Sequence, residues 1–329
     1  MNVLPSPAPA QARFPMHQMV LASRLYYLQD LTQAEIARRL GTSRASVSRL
    51  LSEARRLGIV TIEITEPEPA DLDELAAETA RVLGLQAVHL VLPAPPGTAA
   101  STALAPALAD ALVAADLHSG DVLLNASGRM VYEASLADLP RLPGVLVAPM
   151  LGGQDEPEAW YQPNEITRNL SERIGGRPTF LYAPALPGPD LSRVLRDEPS
   201  IRRVIELWST ARCAIVGVGA PPLSRASLPM FVPTDPVSLR EAVGDVVSRF
   251  YDRDGREVAF PGSDRMMATP LEVLRDIPFV IAVAVGPEKV AAILTGARSG
   301  FFNRLATDSS TAEALLAAAS GTRHTRSSG

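Results

Sequence analysis

Residues 32–64 read TQAEIARRLGTSRASVSRLLSEARRLGIVTIEI, and this stretch decides the character of the N-terminal part of the chain. Thr32-Gln33-Ala34-Glu35 has the spacing of a capping box, in which the hydroxyl and the carboxylate satisfy each other's orphan backbone amides. Leu31 and Ile36 stand at the two positions of a hydrophobic staple around that box. Ile36, Ala37 and Leu40 form the apolar stripe of the helix, and Gly41 supplies the left-handed residue that ends it. Ser43 is the expected N-cap of the next helix. Val47, Leu50, Leu51 and Ala54 give that helix one apolar face. Its exposed positions include Arg44, Ser48, Arg49, Ser52, Arg55 and Arg56. Two helices joined by a glycine-containing turn, the second polar and basic, have the helix-turn-helix layout. An ordinary helical hairpin with solvated arginines is the alternative, but the capping box, the glycine and the basic face occur in the order a DNA-binding unit needs.

Upstream, Val20, Arg24, Tyr27, Leu28 and Leu31 recur at helical spacing and predict a helix over 16–29. Downstream, Val60, Ile62 and Ile64 alternate with Thr61 and Glu63, which predicts a short strand or wing. The charge supports a nucleic-acid partner for this head. Residues 1–60 hold eight arginines against three acidic residues, a net of +5, whereas the rest of the 329-residue chain carries −10. An acidic protein with a basic head points to a polyanion met by the head alone.

The TQAEIARRLGTSRASVSRLLSEARRLGIVTIEI stretch resembles the DNA-binding head of the SorC family of bacterial sugar-responsive regulators. The resemblance implies a recognition helix starting at Ser43, with Arg44, Ser46, Ser48 and Arg49 nearest the bases. Thr32, Gln33 and Ser43 complete the expected contact set on a double-stranded DNA operator.

Other bulk properties limit the alternatives. Hydrophobic residues make up 47% of the chain and charged residues 20%, a balance that suits globular domains with a sizeable core. No apolar run approaches the length of a membrane span, and residues 1–12 lack a signal-peptide layout, so no membrane partner is expected. Cys213 is the only cysteine, which makes a cytoplasmic location the expectation. Lys289 is the only lysine.

Domain organisation follows from composition shifts. Residues 1–15 and 320–329 read as disordered ends, 16–65 as the helix-turn-helix domain, and Glu66-Pro67-Glu68-Pro69 opens a stiff linker over 66–70. Residues 71–319 then alternate short apolar strands with helices. Strands are expected at 88–92, 122–125, 145–150, 179–183, 213–218, 280–285 and 304–306. Helices are expected over 71–83, 99–115, 165–174, 201–209, 288–298 and 311–318. Such alternation predicts an α/β fold, a mostly parallel Rossmann-like sheet covered by helices on both faces. Asp252-Arg253-Asp254-Gly255 reads as a hairpin turn.

In these sheets ligands bind beyond the carboxyl ends of the strands. Ser127, Gly128 and Arg129 follow one strand and open a helix, either as a phosphate-binding loop or as an ordinary turn. Gly152 and Gly153 follow another, ahead of Gln162 and of Asn164, which is either a helix cap or a ligand contact. Gly217 and Gly219 form a close-approach pair, and Asp245 lies beyond them. Lys289 stands in the first turn of a helix, where a lysine opposes the helix dipole unless an anion sits there; a solvated lysine is the alternative. Asp308 either contacts a ligand hydroxyl or caps the last helix.

The pieces ASGR (126–129), MLGG (150–153), QPNEI (162–166), LYAPA (181–185), GVG (217–219), VGDVVSRFYDRDG (243–255) and TDSSTAEALL (307–316) resemble the SorC effector-binding domain, in order, over about residues 70–318. The resemblance implies a fold related to sugar-phosphate isomerases, a phosphorylated-sugar effector and a homotetramer, with a dimer as the alternative assembly. Met130 and Pro287 stand where the family often has a hydroxyl residue and a glycine, which leaves a sugar or polyol without phosphate as the second effector class. Neither a metal, a cofactor nor a catalytic residue is expected. The function read from the sequence is an effector-controlled transcription regulator. Its competitors are a sugar-phosphate isomerase or deaminase with a DNA-binding appendage, and a ligand-independent DNA-assembly factor. A lysine-free segment 150–175 excludes Schiff-base capture of a sugar from that segment.

Overall fold

The turn between Leu40 and Arg44 sets the geometry of the N-terminal unit. Gly41 adopts φ 62°, ending one helix, and Ser43 opens the next by accepting a hydrogen bond from the Ser46 amide. The computed structural model describes residues 14–61, 69–95, 99, 103–225, 228–232 and 237–326. The chain forms two compact units, 1–66 and 67–329.

The first unit contains α1 (Met16–Tyr27), α2 (Gln33–Leu40) and α3 (Arg44–Arg56). Met19, Ala22 and Leu25 of α1 pack with Ile36 and Ala37 of α2 and with Val47, Leu50, Leu51 and Ala54 of α3. This corrects the stripe expected for α1. Leu28 is 73% exposed and Val20 also faces outward, so the buried face is the one that carries Met19 and Ala22. Val60 and Thr61 are not in a strand, and Ile62 and Ile64 of the expected wing lie outside the described residues. So do residues 1–13 and most of the expected linker; α4 (Pro69–Leu83) already begins at its last prolyl position.

The second unit continues with β1 (Ala87–Val91), α5 (Ala105–Ala114), β2 (Val122–Asn125), α6 (Arg129–Ser135), β3 (Leu146–Pro149), α7 (Pro163–Ile174) and β4 (Arg177–Pro178). After these come α8 (Pro189–Asp197), α9 (Pro199–Thr210), β5 (Cys213–Gly217), β6 (Gly244–Val246) and β7 (Arg249–Tyr251). The chain closes with α10 (Leu271–Asp276), β8 (Phe279–Val283), α11 (Val290–Arg298), β9 (Arg304–Asp308) and α12 (Ser309–Arg326). The last helix therefore runs through much of the expected disordered tail. Seven strands form one parallel sheet in the order β1-β9-β8-β5-β2-β3-β4, and β6 pairs antiparallel with β7. The expected strand at 179–183 is replaced by β4. Pro178 removes a ladder donor there, and Leu181 instead binds the Asn164 side chain.

Alternate residues of each strand feed opposite faces of the sheet. Leu123, Val147, Cys213, Ile215, Ile281 and Ala306 pack on one side. Leu124, Ala148, Ala214, Val216, Ala282 and Leu305 pack on the other. Both faces are covered, which is why the strands read as continuous apolar runs. From β2 the chain steps to β3 and β4 in one direction. From β5 it steps to β8 and β9 in the other. The β2/β5 pair is thus the topological switch point, where loops diverge and leave a crevice. No helix among the described residues is long and apolar enough to cross a membrane.

Candidate functional site

A cleft of about 670 Å³ opens at the carboxyl ends of β2 and β5. Ser127, Gly128 and Arg129 line it from the β2 side, and Gly217 and Gly219 from the β5 side. Asp245 and Lys289 complete the sequence-derived residues that meet there.

Local chemistry explains each placement. Asn125 ends β2 fully buried, with its amide nitrogen donating to Pro163 O (3.2 Å) and its oxygen accepting from Thr167 Oγ (2.8 Å). That ties the start of α7 to the loop beginning at Ala126. Gly128 takes φ 114°, and its amide donates to Trp160 O at 2.8 Å. Arg129, Met130 and Val131 follow in the first turn of α6, where backbone amides have no intrahelical acceptor, and all three line the cleft. The Arg129 guanidinium lies over the Trp160 indole, 4.5 Å from the ring centroid.

On the opposite wall the Gly219 amide donates to Asp245 O at 3.0 Å. A β-carbon at Gly244 would stand 2.4 Å from Ala292 Cβ and 2.8 Å from Gly219 O, so only glycine lets β6 approach this closely. Asp245 is thereby delivered to the cleft, where Arg225 pairs with it. Arg225 also donates to Ala220 O at 2.7 Å. The β6–β7 turn is made by Val247 and Ser248 at φ 56° and 59°, and both line the cleft. A β-branched residue in the left-handed region is strained.

Lys289 ends a single 3-10 turn (Pro287–Lys289) and caps α11 rather than standing within its first turn. Burial pushes its ammonium pKa down, partly opposed by Glu288. It enters no ion pair with any described residue.

Five expected effector residues do not line the cleft. Gly152 donates to Met267 O, and a β-carbon there would strike Ala183 O at 2.4 Å. The Gly153 amide donates to Ala183 O. Gln162 gives both amide hydrogens to main-chain carbonyls, Gln154 O and Glu156 O, each at 2.8 Å. Asn164 neither caps its helix nor meets the cleft; it binds both main-chain groups of Leu181. Asp308 accepts from the Thr311 amide at 2.8 Å and from Ser310 Oγ, so it caps α12. Conversely, the sequence reading missed Gln154, Glu156, Trp160 and Arg225. Chain position gave no signal for the first two; the one available hint was Trp160, one of only two tryptophans, just ahead of the expected Gln162 loop.

In the N-terminal unit the capping box is closed in both directions. The Thr32 amide donates to Glu35 Oε2 at 2.8 Å, and the Glu35 amide donates to Thr32 Oγ at 3.3 Å. The Thr32 hydroxyl, donating to Glu35 Oε2 at 2.7 Å, and then the Thr32 amide hold the Glu35 carboxyl below its usual pKa. Ser43 and Ser46 are likewise bonded to each other at the start of α3. Arg44, Ser48 and Arg49 are exposed, and Gln33 and Ser46 are partly so. Arg56 is withdrawn from the expected basic face by a two-pronged bond to Glu53.

A helix-turn-helix unit followed in one chain by a parallel sheet with a cleft over its switch point defines a class of ligand-binding DNA-binding regulators. A sugar-binding domain model matches residues 68–317, and a Crp-like helix-turn-helix model matches residues 12–77. The sorbitol operon regulator of Klebsiella pneumoniae is 30% identical over 309 residues, covering 91% of this chain and 97% of that protein. The deoxyribonucleoside regulator of Bacillus subtilis is 30% identical over 300 residues, covering 90% and 96%. The crystal structure of full-length SorC from Klebsiella pneumoniae superimposes with a TM-score of 0.68, covering 92% of this chain and 98% of that one. The chain belongs to the SorC family of sugar-binding transcriptional regulators.

Proposed function

We propose that this regulator's operator affinity is set by a phosphorylated sugar held in the switch-point cleft. The observation that carries this reading is the pairing of two cations, Arg129 and Lys289, in one cleft without an ionic partner among the described residues. Arg129 stands beside the uncapped amides of α6, and Lys289 sits partly buried at the start of α11. An anion would offset the desolvation cost that Lys289 now bears. A polyol without phosphate is the second effector class.

The DNA contacts of this reading are Thr32, Gln33, Ser43, Arg44, Ser46, Ser48 and Arg49. Arginine and serine side chains can reach base edges and phosphates in a major groove. The effector contacts are Ser127, Gly128, Arg129, Gly217, Gly219, Asp245 and Lys289. Of the five residues outside the cleft, Gln162 holds the main chain of the lining residues 154 and 156.

The role is regulatory rather than enzymatic. Aldose-ketose chemistry needs a free carboxylate or histidine for proton transfer. Of the carboxylates singled out in the sequence, Asp245 is committed to Arg225 and Asp308 to the cap of α12, and no described histidine lines the cleft. A cytoplasmic location and a homo-oligomeric state, tetramer or dimer, complete the reading. Leu191 and Val194 leave an apolar stripe of α8 exposed, which suits contact between copies.

A thermal-shift screen of sugars, polyols and their phosphates, followed by gel shifts with the hit, tests the effector class. Stabilisation by a sugar phosphate that is lost in Lys289→Met supports it. Stabilisation unaffected by that substitution removes the anion site. Turnover of the hit would reinstate the enzyme.

A further inference from the structure

Gln154 and Glu156 follow the Gly152-Gly153 loop and line the cleft, away from any assigned role. Gln154 is only 6% exposed. Its Nε2 donates to Ser127 Oγ at 3.0 Å, while its Oε1 is buried with no donor among the described residues. Glu156 has one carboxylate oxygen bound by the Met230 amide and the other, Oε2, buried without a donor among the described residues. Buried polar groups of this kind are costly and nearly always answered by a partner. Two such groups, two residues apart in the wall of one cleft, have no partner among the described residues.

The loop is built to hold them still. Both amide hydrogens of Gln162 are spent on the carbonyls of residues 154 and 156. The main chain is thus clamped at the two residues, which fixes where both side chains leave the backbone. The chemistry of the missing partner can be narrowed. The Glu156 oxygen needs a donor. The Gln154 carboxamide presents either its oxygen or its NH₂ to the cleft, because Ser127 can accept from one end or donate to the other. A hydroxyl answers both demands, being donor and acceptor at once. A second phosphate does not, since a carboxylate repels it.

We infer that Gln154 and Glu156 form a hydroxyl-reading subsite that recognises the polyol part of the effector, as distinct from the anion end at Arg129 and Lys289. This rests on the sugar-effector reading and sharpens it: the ligand is polyhydroxylated at the end facing residues 154–156, and Gln154 is a specificity-determining residue.

The test compares the full-length protein with Gln154→Met by titration calorimetry, using sorbitol 6-phosphate, hexyl phosphate and sorbitol as probes. Methionine keeps the length of the side chain and removes its hydrogen bonding. The expected result is an affinity for sorbitol 6-phosphate about 5- to 100-fold weaker in the variant, with hexyl phosphate bound equally by both. Gln154→Asn, which retracts the carboxamide by one methylene, is expected to show the same loss. Equal binding of sorbitol 6-phosphate by all three proteins overturns the subsite and leaves the anion reading intact. Binding of sorbitol as tight as its phosphate, lost in the variants, overturns the anion reading and upholds the subsite. Failure of the unaltered protein to bind either hydroxylated probe overturns both.

Discussion

The Arg129 guanidinium stacks on the Trp160 indole at 4.5 Å, and the Gly128 amide next to it donates to the Trp160 carbonyl at 2.8 Å. One residue of the 154–161 segment therefore holds both the backbone and the charge of the Ser127–Arg129 loop. Trp160→Ala removes the stacking face while the carbonyl remains. Stacking of this kind is worth about 0.5–2 kcal/mol, so sugar-phosphate affinity is expected to fall about 2- to 30-fold. Calorimetric titration of the sugar phosphate into the unaltered protein and into the variant checks this. An unchanged dissociation constant would show that Arg129 holds its position unaided.

Gly152 is expected to matter for stability rather than for ligand binding. Its missing β-carbon leaves room for the Ala183 carbonyl and for Pro184, main-chain atoms that cannot swing aside. Gly152→Ala should cost about 1–3 kcal/mol through this overpacking, read as a lower midpoint in denaturant. Loss of effector affinity with stability unchanged would return Gly152 to the ligand shell.

The capping box gives a third expectation. Thr32→Ala leaves the Glu35 amide unsatisfied and takes the hydroxyl donor from the Glu35 carboxylate, which keeps only the residue-32 amide. A lost N-cap costs about 0.5–2 kcal/mol. Calorimetry of the full chain should show the loss in the N-terminal unit alone, with the larger unit unshifted.

Lys289 predicts the pH dependence. Burial depresses its folded pKa below the unfolded value. As pH rises through the depressed pKa toward the ordinary value, the unfolded chain holds more protons, so the cost of burying this charge is relieved and stability rises. An anionic effector needs the charged form. Its affinity should therefore weaken as pH rises through the same window, and Lys289→Met should abolish that weakening. A sugar phosphate adds a second limb, with affinity rising through about pH 6 as its dianion forms. Calorimetric titrations across pH separate the two limbs.

How much of this was legible in the sequence depends on how local the determining contacts are. The helix-turn-helix boundaries were readable because Thr32 with Glu35, Gly41 and Ser43 act within three or four residues. The strands β2, β5 and β9 were readable because apolar runs covered on both faces leave a continuous signature. The face of α1 was not: Val20 and Leu28 share helical spacing with real core residues, and only packing against α2 and α3 decides that Met19 and Ala22 go in. The cleft was half legible. Ser127, Gly128, Gly217 and Gly219 sit where strand ends must place them. Gln154, Trp160 and Arg225 reach the cleft only because their segments fold back across it, through contacts 20 to 32 residues apart such as Gln154 to Ser127 and Arg225 to Asp245. Asp308 was ambiguous for a physical reason, since the same carboxylate chemistry serves a helix cap and a ligand hydroxyl.

The central claim is that ligand in the cleft changes the hold of the N-terminal unit on DNA. Fluorescence anisotropy with promoter DNA from the protein's own operon, with and without the sugar phosphate found by screening, measures it directly. The account predicts that saturating ligand shifts the DNA dissociation constant by about 5- to 150-fold. It also predicts that an Arg129→Ala/Lys289→Met double variant keeps the ligand-free DNA affinity and loses the shift, while Arg44→Ala loses specific binding with or without ligand. A DNA affinity that ignores saturating ligand, or a shift that survives in the double variant, would contradict it.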